Sequence, residues 1–177
     1  MKRVESGDVI SIHHLGLCYY YGNNGLTIDY AKALELFHRA GELGYAASYN
    51  LIGSAYNSGM GVGMDTKKAL HYFALAAIGG DSNARYTLGC AEAQSIEKNH
   101  LEILKADHTE RAIKHFMIAV RAGHNHSLNK IQQLYSNGHA TKDEYEKALV
   151  AYHAYLGEIR SDQRDKAAAV NERYKYY

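Results

Sequence analysis

An all-α fold of stacked helix–turn–helix repeats is predicted by three features of the 177-residue chain. The sequence repeats itself with a period of roughly 36 residues, which is the range of helical solenoids. Apolar residues within each unit recur at helical spacing, as in Leu70, Phe73, Ala76 and Ala77. The chain holds no proline, so no ring closure interrupts a helix.

The first half of each unit is an octad. Leu15-Gly16-Leu17-Cys18-Tyr19-Tyr20-Tyr21-Gly22 and Ile52-Gly53-Ser54-Ala55-Tyr56-Asn57-Ser58-Gly59 both run apolar-Gly-x-x-Tyr-x-x-Gly. Leu88-Gly89 opens a third copy. A fourth, from Ile131 to Gly138, keeps Tyr135 and the last glycine but loses the inner one. A small residue stands one helical turn before each apolar position, at Ser11, Ser48, Ala84 and Ser127. The second half repeats as well. Asp29-Tyr30-Ala31-Lys32-Ala33-Leu34 matches Asp65-Thr66-Lys67-Lys68-Ala69-Leu70, followed by Phe37 and Phe73. The third unit supplies Arg111-Ala112-Ile113 and Phe116, the fourth Lys147-Ala148-Leu149 and Tyr152. The units span about 8–44, 45–80, 81–123 and 124–160 within a single repeat domain.

Helix ends follow from local chemistry. Asp29 and Asp65 are expected as N-caps, and Thr141-Lys142-Asp143-Glu144 as a capping box. Gly44, Gly80 and Gly123 are expected to end second helices in the left-handed conformation. Gly59 should end a first helix, with Gly61 letting the turn close and Val62 packing it down. This reading also removes a phosphate loop at Gly59–Gly63, because helix rather than strand precedes it and Lys67 is misplaced for one. One such helical hairpin cannot bury both its faces, whereas stacked copies can.

The third unit has a longer middle, by about seven residues or two helical turns. Two accounts stand: both helices lengthen by about a turn, or a short helix covers 100–105 and a new one starts at Asp107. Ile96, His100, Ile103 and Leu104 are expected on one face, at an edge that projects. After residue 160, Ser161-Asp162-Gln163-Arg164 resembles another N-cap, which predicts a capping helix over about 161–175. The tail Tyr174-Lys175-Tyr176-Tyr177 is expected to be a frayed or packed terminus.

These residues resemble the Sel-one-like repeat (SLR) family, a relative of the tetratricopeptide repeat. The second unit fits best, through Gly53, Tyr56, Gly59, Gly61, Val62, Asp65, Lys68, Ala69, Tyr72, Ala76, Ala77 and Gly80. The first fits with one extra turn residue in Gly22–Leu26, and the third and fourth are degenerate. The resemblance covers about 8–160. It implies a right-handed α/α superhelix that serves as a protein-assembly scaffold, and it carries no catalytic residues over. The cysteine-rich secreted branch of the family has paired cysteines in each repeat. This chain lacks that pattern, so nothing enzymatic is implied from there. The structural positions of the repeat are Gly16, Tyr19, Gly22, Gly53, Tyr56, Gly59, Gly61, Asp65, Gly80, Gly89, Gly123, Tyr135 and Gly138.

Composition narrows the function further. A net charge of +1 offers no bulk field for nucleic acid or an anionic membrane. The opening MKRVESGDVISIHHLG lacks an apolar run, so no signal peptide and an intracellular setting are expected. Cys18 and Cys90 do not make a disulfide framework and are expected as free thiols. No metal or cofactor is expected. His13 and His14 are adjacent and point apart on a helix, while His124, His126 and His139 lack fixed further ligands. Nothing marks either thiol as an activated nucleophile.

The expected partner is therefore another protein or peptide, met by this chain either as a scaffold or adaptor or as a subunit of a larger complex. Taking Leu15, Ile52, Leu88 and Ile131 as the core positions of the first helices, the opposite face is read two before, two after and five after each. It comprises His13, Leu17 and Tyr20; Asn50, Ser54 and Asn57; Tyr86, Cys90 and Ala93; and Asn129, Gln133 and Ser136. This face is uncharged, small, polar or aromatic, which suits contact with peptide groups. It is expected to line the concave wall, with His13, Asn50, Tyr86 and Asn129 nearest its centre.

Overall fold

A computed structural model describes residues 8–98 and 101–174, with Glu102 and residues 164–174 described by backbone alone. The expectations for His100 and for the tail beyond Tyr174 lie outside the described residues. All regular structure among the described residues is helical. The helices are α1 (Val9–Tyr21), α2 (Tyr30–Glu42), α3 (Ala46–Ser58), α4 (Thr66–Ile78), α5 (Ser82–Lys98), α6 (Glu102–Arg121), α7 (Asn125–Ser136) and α8 (Lys142–Tyr174). They fall into two compact units, Met1–Leu88 and Gly89–Tyr177, with the boundary inside α5.

In the first unit the caps are those the sequence specifies. The Lys32 N–H donates to the Asp29 carboxylate at 2.9 Å and the Lys68 N–H to Asp65 at 3.0 Å. α1 and α3 end at Gly22 (φ 68°) and Gly59 (φ 74°), a region that side chains with a Cβ rarely enter. α2 and α4 end one residue ahead of left-handed glycines. There the Tyr45 N–H reaches the Ala40 carbonyl at 2.9 Å, and the Asp81 N–H reaches that of Ala76 at 3.0 Å. This six-to-one bond satisfies a carbonyl that the helix end would otherwise leave open. A second matched pair closes each hairpin: Asp29 N–H to the Tyr19 carbonyl and Asp65 N–H to the Tyr56 carbonyl, both at 2.9 Å.

The helices of a repeat meet where a glycine faces a phenylalanine. A Cβ at Gly16 would lie 2.6 Å from the Phe37 ring, and one at Gly53 2.8 Å from that of Phe73. Phe37 is wholly buried with Ala33, Leu34, Ile52 and Ala55, and Val62 folds the turn against them as expected. Phe73 lies with Ala69, Ala76, Ala77 and Ala84. Successive repeats interlock through tyrosines. Tyr49 of α3 fills the space over Gly41 of α2, and Tyr30 of α2 packs on Gly61 in the next turn. Within the second repeat, Tyr56 lies parallel to Tyr72, with ring centroids 5.6 Å apart.

In the second unit Gly89 faces Phe116 in the same way, a Cβ there lying 2.6 Å from the ring. The long third repeat is built by extending both helices: α5 has 17 residues and α6 has 20, against 13 in each of α1 to α4. α6 runs from Glu102 straight through Asp107, so no new helix starts there. Polar contacts join the two long helices. Glu92 of α5 meets His108 at 2.7 Å and Arg111 at 3.2 Å, and Arg111 also pairs with Asp107. The shared face expected for Ile96, Ile103 and Leu104 does not form. Ile96 is buried on α5, while Ile103 and Leu104 are exposed on α6, because the two helices have separate axes.

The capping box forms as expected, with the Thr141 N–H donating to Glu144 at 2.8 Å. The chain does not restart at Ser161. α8 runs on as one helix to Tyr174, and the segment expected as a capping helix is its C-terminal part. α2, α3, α4, α5, α7 and α8 each follow a glycine at positive φ, and α6 follows the extended Leu101, whereas no such break stands between Lys142 and Ser161. A polar residue caps a helix only where the backbone has already left it. No described helix is long and apolar enough to cross a membrane.

Candidate protein-binding surface

The candidate face of α1 is engaged in packing. His13 is 6% exposed, and its Nδ1 lies 2.9 Å from the Ser48 hydroxyl of the next repeat. It is therefore not at the centre of an open wall, contrary to the expectation. A helix in a stack is covered by its own partner helix and by a neighbouring repeat, so burial claims more than the face opposite solvent. Leu17 and Tyr20 pack against the core around Phe37. The Tyr20 hydroxyl donates to Met60 Sδ at 3.0 Å, and its ring stands edge-on to Tyr21 and Tyr30. Burial, then the neighbouring Tyr21 and Tyr30, pushes the Tyr20 hydroxyl above its usual range. Tyr72 is raised in the same way, by burial and then by Tyr56 and Tyr49. Both remain neutral donors at physiological pH.

On α3 the candidates are not fully buried. Asn50 and Ser54 are half-buried and Asn57 is exposed, in one stripe at helical spacing. Tyr86 on α5 is half-buried. In the second unit Cys90 is half-buried and Asn129 and Gln133 are exposed, with Gln133 accepting from Lys130 at 3.1 Å. In α3 and, separately, in α7 these positions present carboxamides and hydroxyls, which donate and accept as a peptide group does.

Other chemistry was weighed by geometry. Cys18 and Cys90 are free and half-buried, and the Asn24 side chain donates to Cys18 Sγ at 3.1 Å. His124 pairs through Nδ1 with Ser127 at 2.9 Å, and its ring meets His126 edge-on. Among the described residues no three of His, Cys, Asp or Glu are placed to hold a metal ion.

The wheel drawn from single helices missed the contacts between repeats: His13 with Ser48, Tyr20 with Met60, and Tyr49 over Gly41. A signal was present for the first. Ser48 lies in the column of small residues before the core position, and a buried hydroxyl there requires a partner.

The family model of the Sel1 repeat matches residues 9–45 and 46–81. Among curated proteins the chain is 38% identical over 88 residues to the ERAD-associated E3 ubiquitin-protein ligase component HRD3B of Arabidopsis thaliana. That match covers 49% of this chain and 13% of the relative. It is 34% identical over 95 residues to the chitin synthase regulator SKT5 of Saccharomyces cerevisiae, over 49% of this chain and 14% of that protein. The chain thus spans a small part of the relatives it matches. Among solved structures it is similar to a Sel1 repeat protein from Oxalobacter formigenes, with a TM-score of 0.70 and 26% identity over 88% of this chain and 60% of that one. It is also similar to a protective antigen of uropathogenic Escherichia coli strains that displays an SLR fold, with a TM-score of 0.68 and 28% identity over 89% of this chain and 32% of that one. The glycine-capped hairpins, the Gly–Phe contacts and these matches lead to one conclusion: residues 9–45 and 46–81 are Sel1 repeats, in a chain whose fold is similar to that of SLR proteins.

Proposed function

We propose that the chain is a non-catalytic scaffold or adaptor that holds a segment of another protein on its first-helix faces. The observation that carries this reading is the stripe Asn50, Ser54 and Asn57 on α3, uncharged and running from half-buried to exposed along one side of a helix whose Ile52 and Ala55 are buried in the core. Desolvating an uncharged polar face costs less than desolvating a charged one, and carboxamides can pair with a peptide backbone. The relatives support it. One is named as a component of a ubiquitin ligase and the other as a regulator of chitin synthase, so both are named for serving an enzyme. A permanent place in a larger complex is the alternative form of the same role.

The test compares two variants for binding after folding has been checked by circular dichroism. A partner is first trapped by a photo-crosslinking residue at Asn57. Tyr86→Ala should then weaken binding by about 2 kcal/mol, the scale of a buried aromatic anchor. Leu101→Glu, on a residue 66% exposed at the start of α6, should leave it unchanged. Binding lost only with Leu101→Glu would move the site to the edge of the long third repeat.

A further inference from the structure

His13 is a buried titratable group that the proposed binding face does not use. It projects from α1 into the seam between the first and second repeats. Its Nδ1 meets the hydroxyl of Ser48, itself 0% exposed, at 2.9 Å. Its ring centroid lies 4.7 Å from that of Tyr45, in the turn before α3, and 5.6 Å from that of Phe37 on α2. The second unit solves the same problem locally. There Ser127, also 0% exposed, is met at 2.9 Å by His124 of its own helix start. In the first unit the imidazole comes from the preceding repeat, so satisfying the buried serine also joins two repeats.

We propose that His13 is an acid-sensitive latch between the first and second repeats: neutral, it fills the seam and pairs with Ser48, and protonated, it loosens the first repeat from the second. The groups that face it decide the direction. From α2 comes Phe37, from the turn Tyr45, from α3 Ser48, and from α1 its neighbour His14, 5.8 Å away centroid to centroid. None is a carboxylate. The tyrosine and phenylalanine rings soften a buried cation but do not replace its lost hydration. Burial holds the imidazole below its ordinary range, and the charge of His14 adds to this. The folded state therefore binds its proton later than the unfolded chain does. The contribution to stability is complete above the unfolded value of about 6.5 and is lost as pH falls from there through the lower folded value.

Three measurements on the full chain test this. In an NMR titration the His13 ring should show a midpoint below 6.5, the model-peptide value. In urea unfolding, the unfolding constant should rise by up to about tenfold for each pH unit below that value. His13→Gln, neutral and able to meet Ser48, should remove up to that one-proton dependence. Amide protection factors should fall on acidification more in α1 than in α4, which a uniform loss of stability would not produce. A His13 midpoint at or above 6.5 would overturn the latch, as would an unchanged pH dependence in His13→Gln or equal responses of α1 and α4. If His13→Gln does not fold, the titration and the exchange pattern of the unaltered chain decide the matter.

Discussion

Replacing Gly53 by alanine sets two known effects against each other. In a helix interior the change should stabilise by about 0.8–1 kcal/mol through propensity alone. At Gly53 the added Cβ would lie 2.8 Å from two Phe73 ring carbons and 3.1 Å from the Ala69 carbonyl oxygen. The oxygen is backbone and cannot swing aside. The ring is 4% exposed and packed among Ala69, Ala76, Ala77 and Ala84 with Tyr49, Tyr56 and Leu88 around it. Overpacking of this kind costs about 1–3 kcal/mol, so the net effect should be a destabilisation of about 1 kcal/mol, or about 3 °C in melting temperature. Gly157 in α8 is the control, because a Cβ there meets nothing within 4 Å. Gly157→Ala should show the propensity gain undiminished. Thermal and urea unfolding of both variants gives the answer, and Phe73→Leu added to Gly53→Ala should recover part of the loss. If Gly53→Ala stabilises as much as Gly157→Ala, the Gly–Phe contact is not what holds the helices of a repeat together.

The turns and the thiols yield two more expectations. Gly80 has φ 92° and Gly59 φ 74°, so valine at either should cost about 1–2 kcal/mol or more in urea unfolding; an unchanged midpoint would exclude the left-handed cap. Both Cys18 and Cys90 should react with a thiol reagent in the unfolded chain under non-reducing conditions, since both are free; one intramolecular bridge by mass would contradict the fold.

Much of the architecture was legible because the signals are local. A capping aspartate acts on an N–H three residues on, and a left-handed glycine acts on its own turn. The long third repeat was legible as arithmetic, since extra residues without glycine or proline lengthen helices. The end of the chain was not. Ser161 has the composition of a cap, but nothing before it turns the backbone out of α8, and composition alone cannot show that. His13 failed for a different reason. The wheel places it about 200° from Leu15, yet burial at that slot is decided by Tyr45 and Ser48, which lie a whole repeat later. The same slot is half-buried at Asn50 and Tyr86 and exposed at Asn129, so one position in the repeat has several environments.

Exposure of that slot in the fourth repeat coincides with loss of the Gly–Phe contact. Three repeats keep both members, as Gly16 with Phe37, Gly53 with Phe73 and Gly89 with Phe116. The fourth keeps neither: Gln132 stands in the glycine slot and is exposed, and Tyr152 stands in the phenylalanine slot and is half-buried. Losing both together is the physically consistent outcome. A glycine without the ring leaves a void and weakens the helix, and a ring against a larger side chain overpacks it. The family model stops at residue 81, before the third repeat, although the third repeat still has its contact. What that repeat has altered is the length of its helices, which changes spacing without changing the packing at its centre. A repeat can therefore remain structurally intact after its sequence pattern has faded. The lengthened third repeat thus departs from the first two in helix length while keeping their Gly–Phe packing.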